Sequence, residues 1–264
     1  LMSLIFLNSK EGVFMGKKIK SKAFTLAEVL ITLGITGVVA VMTLPQLIKN
    51  YKEKVLLQQA KKMYSVISNA LVAYSNDMGT PGEYWLIFDG SRELNDIVKD
   101  FSKYISPIQI CQSEDIRNSN CGGGSYTIRT FKRKNNGQGK VSNVTSIMVD
   151  SGRMVLKDRS FVSIRKDNTS SGRCFYNWTQ NVTDENGFNT GETIARTSTR
   201  CGRIYFDVNG LKGPNQYGND VFEIQVHANK IKAGDSLEHT GGLDNAIVTD
   251  HLEKGEIYDT NADY

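Results

Sequence analysis

The chain has 264 residues and a net charge of +4, and about 200 of them, beyond the N-terminal part, are enough for one good-sized domain or two small ones. It has no basic stripe interleaved with aromatic residues, so nothing in it directly indicates a nucleic-acid interface. Its three histidines, His227, His239 and His251, lie far apart, and no Ser or Cys lies in a nucleophile motif. The sequence therefore predicts a protein that is not an enzyme.

The N-terminal part contains one long apolar run, from Phe24 to Leu44, whose one ionisable side chain is Glu28. At about 1.5 Å per residue, a helix over this run spans roughly 31 Å, the thickness of one hydrocarbon core. The run is too long for a secretory signal peptide and continues into a helical pattern instead of a small-residue cleavage site. We predict a transmembrane helix over residues 24–44 that stays with the mature protein.

Glu28 is unusual in this setting, because a carboxylate inside an apolar span costs roughly 2.5–3.5 kcal/mol on insertion scales and usually has a partner. Cleavage between Ala23 and Phe24 would create a new ammonium group at residue 24. Neighbouring copies could then pair amine with carboxylate inside the bilayer. The alternative is a plain single-pass anchor in which Glu28 occurs by chance.

The basic leader, Ala23, the run Phe24-Thr25-Leu26-Ala27-Glu28, the hydrophobic stretch and Pro45 resemble the processing segment of type IV pilins and type II secretion pseudopilins. In that family a prepilin peptidase cleaves just before the Phe and N-methylates it, and the Glu governs subunit packing. Ala23 departs from the family pattern, which usually has Gly before the cut.

The resemblance implies cleavage between Ala23 and Phe24, N-methylation of Phe24, and assembly through Glu28 with other pilin or pseudopilin subunits. It also implies a single-pass precursor in a bacterial inner membrane and a filament after assembly. Lysines precede the span at Lys17, Lys18, Lys20 and Lys22. By the positive-inside tendency, we expect the leader to stay in the cytoplasm and the head to face outwards.

We predict five segments: a removed leader over 1–23, the transmembrane and filament-core helix over 24–44, its amphipathic continuation over 45–78, an exported head over 79–232, and an acidic C-terminal tail over 233–264. Translation is expected to begin at Met15, the alternative being a longer authentic leader. Pro45 lacks an amide donor and is expected to kink or interrupt the helix. The fold class is α+β, pilin-like, with the long helix packed on an antiparallel sheet.

The continuation of the helix has one apolar stripe at helical spacing, formed by Ile48, Tyr51, Val55, Met63, Ile67, Leu71 and Tyr74. The stripe predicts a helix that packs on its own head, and a surface-lying membrane helix is the alternative. A second helix is predicted from Leu94 to Ile105.

The head has four cysteines, which in an exported domain suggest two disulfides. Cys111 with Cys121 and Cys174 with Cys201 is the sequence-local choice among three connectivities. A zinc site built from the four thiolates is disfavoured, because the chain has no C-x-x-C pair.

Short strands are predicted beyond Ser125: Tyr126–Lys132, a hairpin of VTSIMV and RMVLKD around Asp150-Ser151-Gly152, and Phe161–Arg165. The region 177–199 is rich in Asn, Thr and Gly. It contains N-x-T sequons that we interpret as solvated loops and not as glycan sites.

The last hairpin is predicted from strands Ile204–Val208 and Val221–Val226. Its loop carries oxygen ligands of the kind that Ca²⁺ prefers, from Asp207, Asn209, Asn215 and Asp220. The loop resembles the D-x-N-G-x-x-G-P-N loop of pilin-like proteins, some of which hold calcium there. The alternative is that Asn and Asp side chains serve their own turn through bonds to the backbone.

The sequence therefore predicts a filament subunit that leans towards a minor or specialised type. A membrane-anchored surface binding protein that never polymerises is the rival hypothesis.

Overall fold

The computed structural model describes residues 24–112, 121, 128–133, 139–144, 152–167, 174, 176–183, 189–213, 215–235 and 242–252. The chain divides into two compact units, Leu1–Ile48 and Lys49–Tyr264. We describe each unit by itself.

The first element, helix α1, runs from Leu26 to Asp77 and has 52 residues. Its N-terminal part is long and apolar enough to cross a membrane. Pro45 lies inside α1, so it does not interrupt the helix, and a kink at this position stays a prediction. Proline removes a single N–H donor, and within a bilayer the backbone on either side has no better partner than the helix itself.

The C-terminal half of α1 packs on the head, as its apolar stripe predicts. Met63, Ile67, Leu71 and Tyr74 are all at most 4% exposed. Their spacing of three and four residues places them on one side of the helix. The N-terminal part of the predicted stripe differs, because Tyr51 is 69% exposed.

The remaining elements follow in chain order. They are a 3₁₀ turn at Tyr84–Leu86, helix α2 at Leu94–Ile105, and strands β1 Gln109–Cys111, β2 Ile128–Arg133, β3 Gly139–Val144, β4 Gly152–Val155, β5 Phe161–Lys166, β6 Tyr176–Thr183, β7 Asn189–Ser198, β8 Arg200–Asp207, β9 Val221–His227 and β10 Ile231–Ala233, followed by helix α3 at Leu243–Thr249. The predicted bounds of α2 are confirmed.

A six-stranded antiparallel sheet in the order β1-β4-β5-β8-β9-β10 forms the centre of the head. One face of this sheet, with Ile204, Phe206 and Ile224 fully buried, shares a hydrophobic core with α1 and α2. The α+β prediction is confirmed, and a long helix packed on an antiparallel sheet fits a pilin-like fold. The predicted strands at β5, β8 and β9 are also confirmed.

The opposite face of the sheet is covered as well, although it carries polar side chains. Arg153 is 1% exposed; its guanidinium lies 5.2 Å from the centroid of the Phe161 ring and donates to the Cys121 carbonyl. Tyr205 and Tyr217 belong to the same second cluster. A cation this deeply buried needs such partners, because an unpaired buried charge is strongly destabilising.

Two sequence predictions in the strand region are wrong. Strand β4 pairs with β1 on one side and β5 on the other, so it has no free edge for the proposed hairpin partner VTSIMV. Residues 145–149 of that segment lie outside the described residues. The region read as solvated loops contains instead a two-stranded hairpin of β6 and β7, whose threonines favour extended backbone.

Disulfides join Cys111 to Cys121 and Cys174 to Cys201, the sequence-local connectivity. Within the segment 233–264, helix α3 packs against the head and buries Leu243 and Ala246, and Leu252 after it is buried too. Residues 236–241 and 253–264 of that segment lie outside the described residues.

The packing of α1 on the head predicts a sharp contrast between adjacent residues. Ile67 is fully buried and Val66 is 37% exposed, so Ile67→Ala should lower the free energy of unfolding by about 2–5 kcal/mol. Val66→Ala, the matched control on the same helix, should change it by less than about 1 kcal/mol. Chemical denaturation of the full chain in detergent, followed by near-ultraviolet circular dichroism, measures both. Equal effects would contradict the assigned buried face.

Candidate functional site

The start of α1 is closed by hydrogen bonds between Thr25 and Glu28. The backbone N–H and the hydroxyl of Thr25 donate to Oε2 of Glu28 at 2.8 and 2.9 Å, and the N–H of Glu28 donates to the Thr25 hydroxyl oxygen at 3.2 Å. This reciprocal arrangement is a capping box, which satisfies amide donors that a helix leaves free at its first turn.

The capping box holds the Glu28 carboxylate next to the predicted cleavage site. Thr25 follows Phe24 directly, and Phe24 is 82% exposed ahead of the helix. Ala23, the other predicted processing residue, lies outside the described residues. The role of Thr25 was not predicted from the sequence, although a Thr three residues before a Glu at the start of an apolar run is a known signal for a helix start.

The other polar side chains of the apolar run are satisfied within the helix. The hydroxyls of Thr32, Thr36 and Thr43 donate to backbone carbonyls three or four residues earlier. Hydroxyls that bond back to their own helix need no outside partner in lipid. Glu28 is therefore the side chain of this run that carries charge.

The apolar side chains of the run are exposed in the single chain. Leu30, Leu33 and Val41 are 61%, 63% and 75% exposed, and a Cβ added at Gly34 or Gly37 would meet no atom within 4 Å. A continuous apolar surface of this kind needs either lipid or other helices against it. The glycines allow a second helix to approach closely.

The second predicted site, the loop between β8 and β9, is held together by its own acidic side chains. Oδ1 of Asp207 accepts the N–H groups of Asn209 and Gly210 at 3.0 and 2.7 Å. The carboxylate of Asp220 accepts the N–H groups of Asn215 and Gln216 at 2.9 and 2.6 Å.

Asn215 also closes this loop. With its amide oriented to satisfy both ends, it donates to the carbonyls of Lys212 and Gly210 at 3.1 and 2.9 Å. Its φ of 49° is in the left-handed region, which Asn tolerates better than most residues. All four predicted calcium ligands thus bond to backbone groups of their own loop, because the side-chain amide of Asn209 also donates to the Gly213 carbonyl at 3.4 Å.

These contacts differ from those of a calcium site, in which the carboxylate oxygens face the ion. Ca²⁺ takes about six to eight oxygen ligands, whereas here carboxylate oxygens point at amide protons. Asn209 Oδ1 is buried without a hydrogen-bond partner, but one oxygen does not make a cation site. Within the described residues no group of three or more His, Cys, Asp or Glu could hold a metal ion. The geometry favours the turn-forming alternative.

The loop predicts how calcium should affect the protein. If the Asp and Asn side chains serve the turn, about 5 mM calcium, above the weakest affinities of extracellular sites, should leave the melting temperature unchanged relative to excess EGTA. Magnesium at the same concentration is the control for ionic strength. A rise of several degrees that is specific to calcium would show that the loop binds the ion.

Asp220 also predicts a dependence of stability on pH. Burial raises the pKa of Asp220 to about 6 from 3.8, although the amides of Gln216 and Asn215 favour the ionised form. A carboxyl whose folded pKa is raised stabilises the fold fully below the unfolded pKa, and this contribution is lost as the pH rises through about 6.

As the pH rises from 4 to 7, we therefore expect the ionisation of Asp220 to lower the free energy of unfolding by on the order of 2–3 kcal/mol. Asp220→Asn should lack that component, so the difference between the two proteins isolates it from other carboxyls. Chemical denaturation at several pH values measures the difference. Parallel pH profiles would contradict the expectation.

Comparison with known proteins identifies the first of the two sites. Residues 18–44 match the family model of the prokaryotic N-terminal methylation motif, which is the signal of type IV pilins and pseudopilins. The resemblance found in the sequence is thereby confirmed for this segment. No curated protein and no solved structure matches the chain.

Proposed function

We propose that this chain, which carries the type IV pilin and pseudopilin signal, is a structural subunit of a type IV pilus-like or type II secretion filament. It is a minor pilin or a pseudopilin, and prepilin peptidase cleaves it between Ala23 and Phe24. The observation that carries the proposal is the single carboxylate of Glu28 at the head of an exposed apolar helix, inside the matched segment 18–44.

Cleavage gives Glu28 a partner that the precursor lacks. The new ammonium group of Phe24 is a cation at the edge of the apolar run, where the low dielectric strengthens ion pairing. A subunit enters the filament when its helix leaves the lipid for a bundle of like helices. In that bundle the carboxylate of one copy pairs with the amine of its neighbour, and Gly34 and Gly37 permit close packing.

The remaining features agree with an exported subunit of this kind. The lysines of the leader favour a cytoplasmic N-terminus and a head outside the cytoplasm. Two disulfides suit an oxidising compartment. Pro45 is placed where the helix leaves the apolar run, and its missing N–H permits the helix to bend during assembly. The partners are prepilin peptidase, other pilin or pseudopilin subunits and the inner membrane.

Processing is tested by mass spectrometry of the protein recovered from its native host. We expect a mature chain that begins with N-methyl-Phe at residue 24. Ala23→Val, which puts a branched side chain at the position before the cut, should accumulate as the uncleaved precursor, whereas Ala23→Gly should be cleaved at least as completely as the wild type. An intact leader on the wild-type protein would favour the anchored binding protein that never polymerises.

The role of Glu28 is tested by two substitutions that separate charge from capping. Gln at this position preserves a capping box with Thr25 but carries no charge, whereas Ala removes both. If pairing with the Phe24 amine drives assembly, Glu28→Gln and Glu28→Ala should both be cleaved and should both fail to enter filaments sheared from cells.

If Glu28→Gln assembles and Glu28→Ala does not, Glu28 acts as a helix cap, and the pairing role is contradicted. Thr43→Ala, which also removes a polar group from the same helix, is the matched control and should assemble normally. Cleavage, read from the mass of the N-terminal peptide, shows for each variant whether a failure lies before or after processing.

A further inference from the structure

A groove of about 450 Å³ lies in the head, beside strand β1 at the edge of the six-stranded sheet. We call it the edge groove. Its lining includes the buried side chains of Val155, Phe161 and Val208, while Ile108 and Leu211 in its lining are 60% and 56% exposed. Large apolar side chains left this exposed around a concave surface are typical of a binding site.

The walls of the edge groove are fixed before anything binds. Oδ1 of Asp158 accepts the N–H and the hydroxyl of Ser160 at 3.0 and 2.6 Å, which holds the turn between β4 and β5. A Cβ at Gly210 would lie 2.1 Å from the Arg159 carbonyl oxygen, so the β8–β9 loop packs directly on that turn. A preformed groove spares a ligand the cost of ordering its site.

The charges of the edge groove favour an acidic ligand. Arg159 and Lys212 line it as cations and both are exposed. Asp158 is the acid in the lining, and Ser160 already donates to its carboxylate. The groove therefore suits an extended segment that combines apolar side chains with carboxylates.

We propose that the edge groove binds the C-terminal segment of the same chain, residues 253–264, which lie outside the described residues. This segment places Ile257 and Tyr258 between acidic residues, and Lys254 is its one cation; the acidic residues are Glu253, Glu256, Asp259 and Asp263. Its composition matches the groove in both respects: an apolar pair for the lining, and carboxylates for Arg159 and Lys212.

The segment also starts within reach of the groove. Leu252, at its start, is buried, and Asp250 accepts from Nζ of Lys61 on α1 at 2.6 Å. Gln59, on the same turn of α1, lines the groove. An extended chain places Ile257 up to about 17 Å from Leu252. This distance is close to half the circumference of a helix of about 10–12 Å diameter, so the segment can pass around α1 from the side of Lys61 to the groove.

A tether of this length holds the segment at an effective concentration near the millimolar range. The intramolecular segment is therefore favoured over a free partner of similar chemistry. The edge groove is not used by the proposed cleavage or by the pairing of Phe24 with Glu28, so this proposal stands or falls separately from the proposed function.

Photo-crosslinking of the full chain in detergent tests the proposal. Tyr258 is replaced by p-benzoylphenylalanine, and mass spectrometry locates the residues that it labels. We expect intramolecular adducts around Ile108 and Leu211. Leu211→Asp and Lys212→Glu, each at an exposed position, should lower the adduct yield about tenfold, the effect of a loss near 1.4 kcal/mol in binding.

Val248→Asp is the matched control, because Val248 is 84% exposed on α3 and does not line the groove; it should leave the yield unchanged. Near-ultraviolet circular dichroism confirms that each variant is folded. Adducts elsewhere on the head, or a yield that neither groove variant changes, would overturn the proposal. So would cross-linked dimers whose fraction rises with protein concentration, because they would place the segment on a second copy.

Discussion

The proposed assembly depends on one carboxylate at the head of an apolar helix. Glu28 is held by Thr25 through the amide and hydroxyl of that residue, so its carboxylate has hydrogen-bond donors within its own helix turn. A local cap is a modest interaction, whereas an ion pair in lipid is a strong one. Under the proposed function, the same side chain is held by a local cap in the precursor and gains an ion pair after processing.

The head is built to hold the C-terminal half of α1 firmly. Ile67 and Leu71 are fully buried in a core shared with the sheet, and a polar cluster fixes the end of the helix. In that cluster Arg92 donates to the Tyr74 hydroxyl at 2.8 Å and to Asp100 at 2.6 Å, which joins α1 to α2. The folded head and its segment of α1 are thus one compact unit.

Much of this could be predicted from sequence because it depends on local pattern. The apolar run, the bounds of α2 and the strands of the last hairpin all follow from patterns along a few tens of residues. The cap by Thr25 also depends on local pattern, because a Thr three residues before a Glu at the start of an apolar run is a capping-box signal.

The features that escaped depend on contacts between distant parts of the chain. Nothing local shows that β4 is enclosed by β1 and β5, or that Arg153 is buried by a cation–π contact and a carbonyl. The edge groove likewise combines Gln59 with Ile108 and Leu211. For β6 and β7, exposed polar composition suggested loops, whereas backbone pairing made strands.

The β6–β7 hairpin is secured to the sheet at both of its feet. Strand β7 continues through Thr199 directly into β8, and the residue before β6 on the described chain, Cys174, is bonded to Cys201 in β8. Asp167, which accepts from Arg200 and Arg203, clamps β8 to the end of β5 nearby. A pulling force on the β6–β7 hairpin would therefore be transmitted to β8, an inner strand of the six-stranded sheet. It would pass through the backbone at Thr199 and through the Cys174–Cys201 disulfide, and not through the hydrogen bonds of an edge strand.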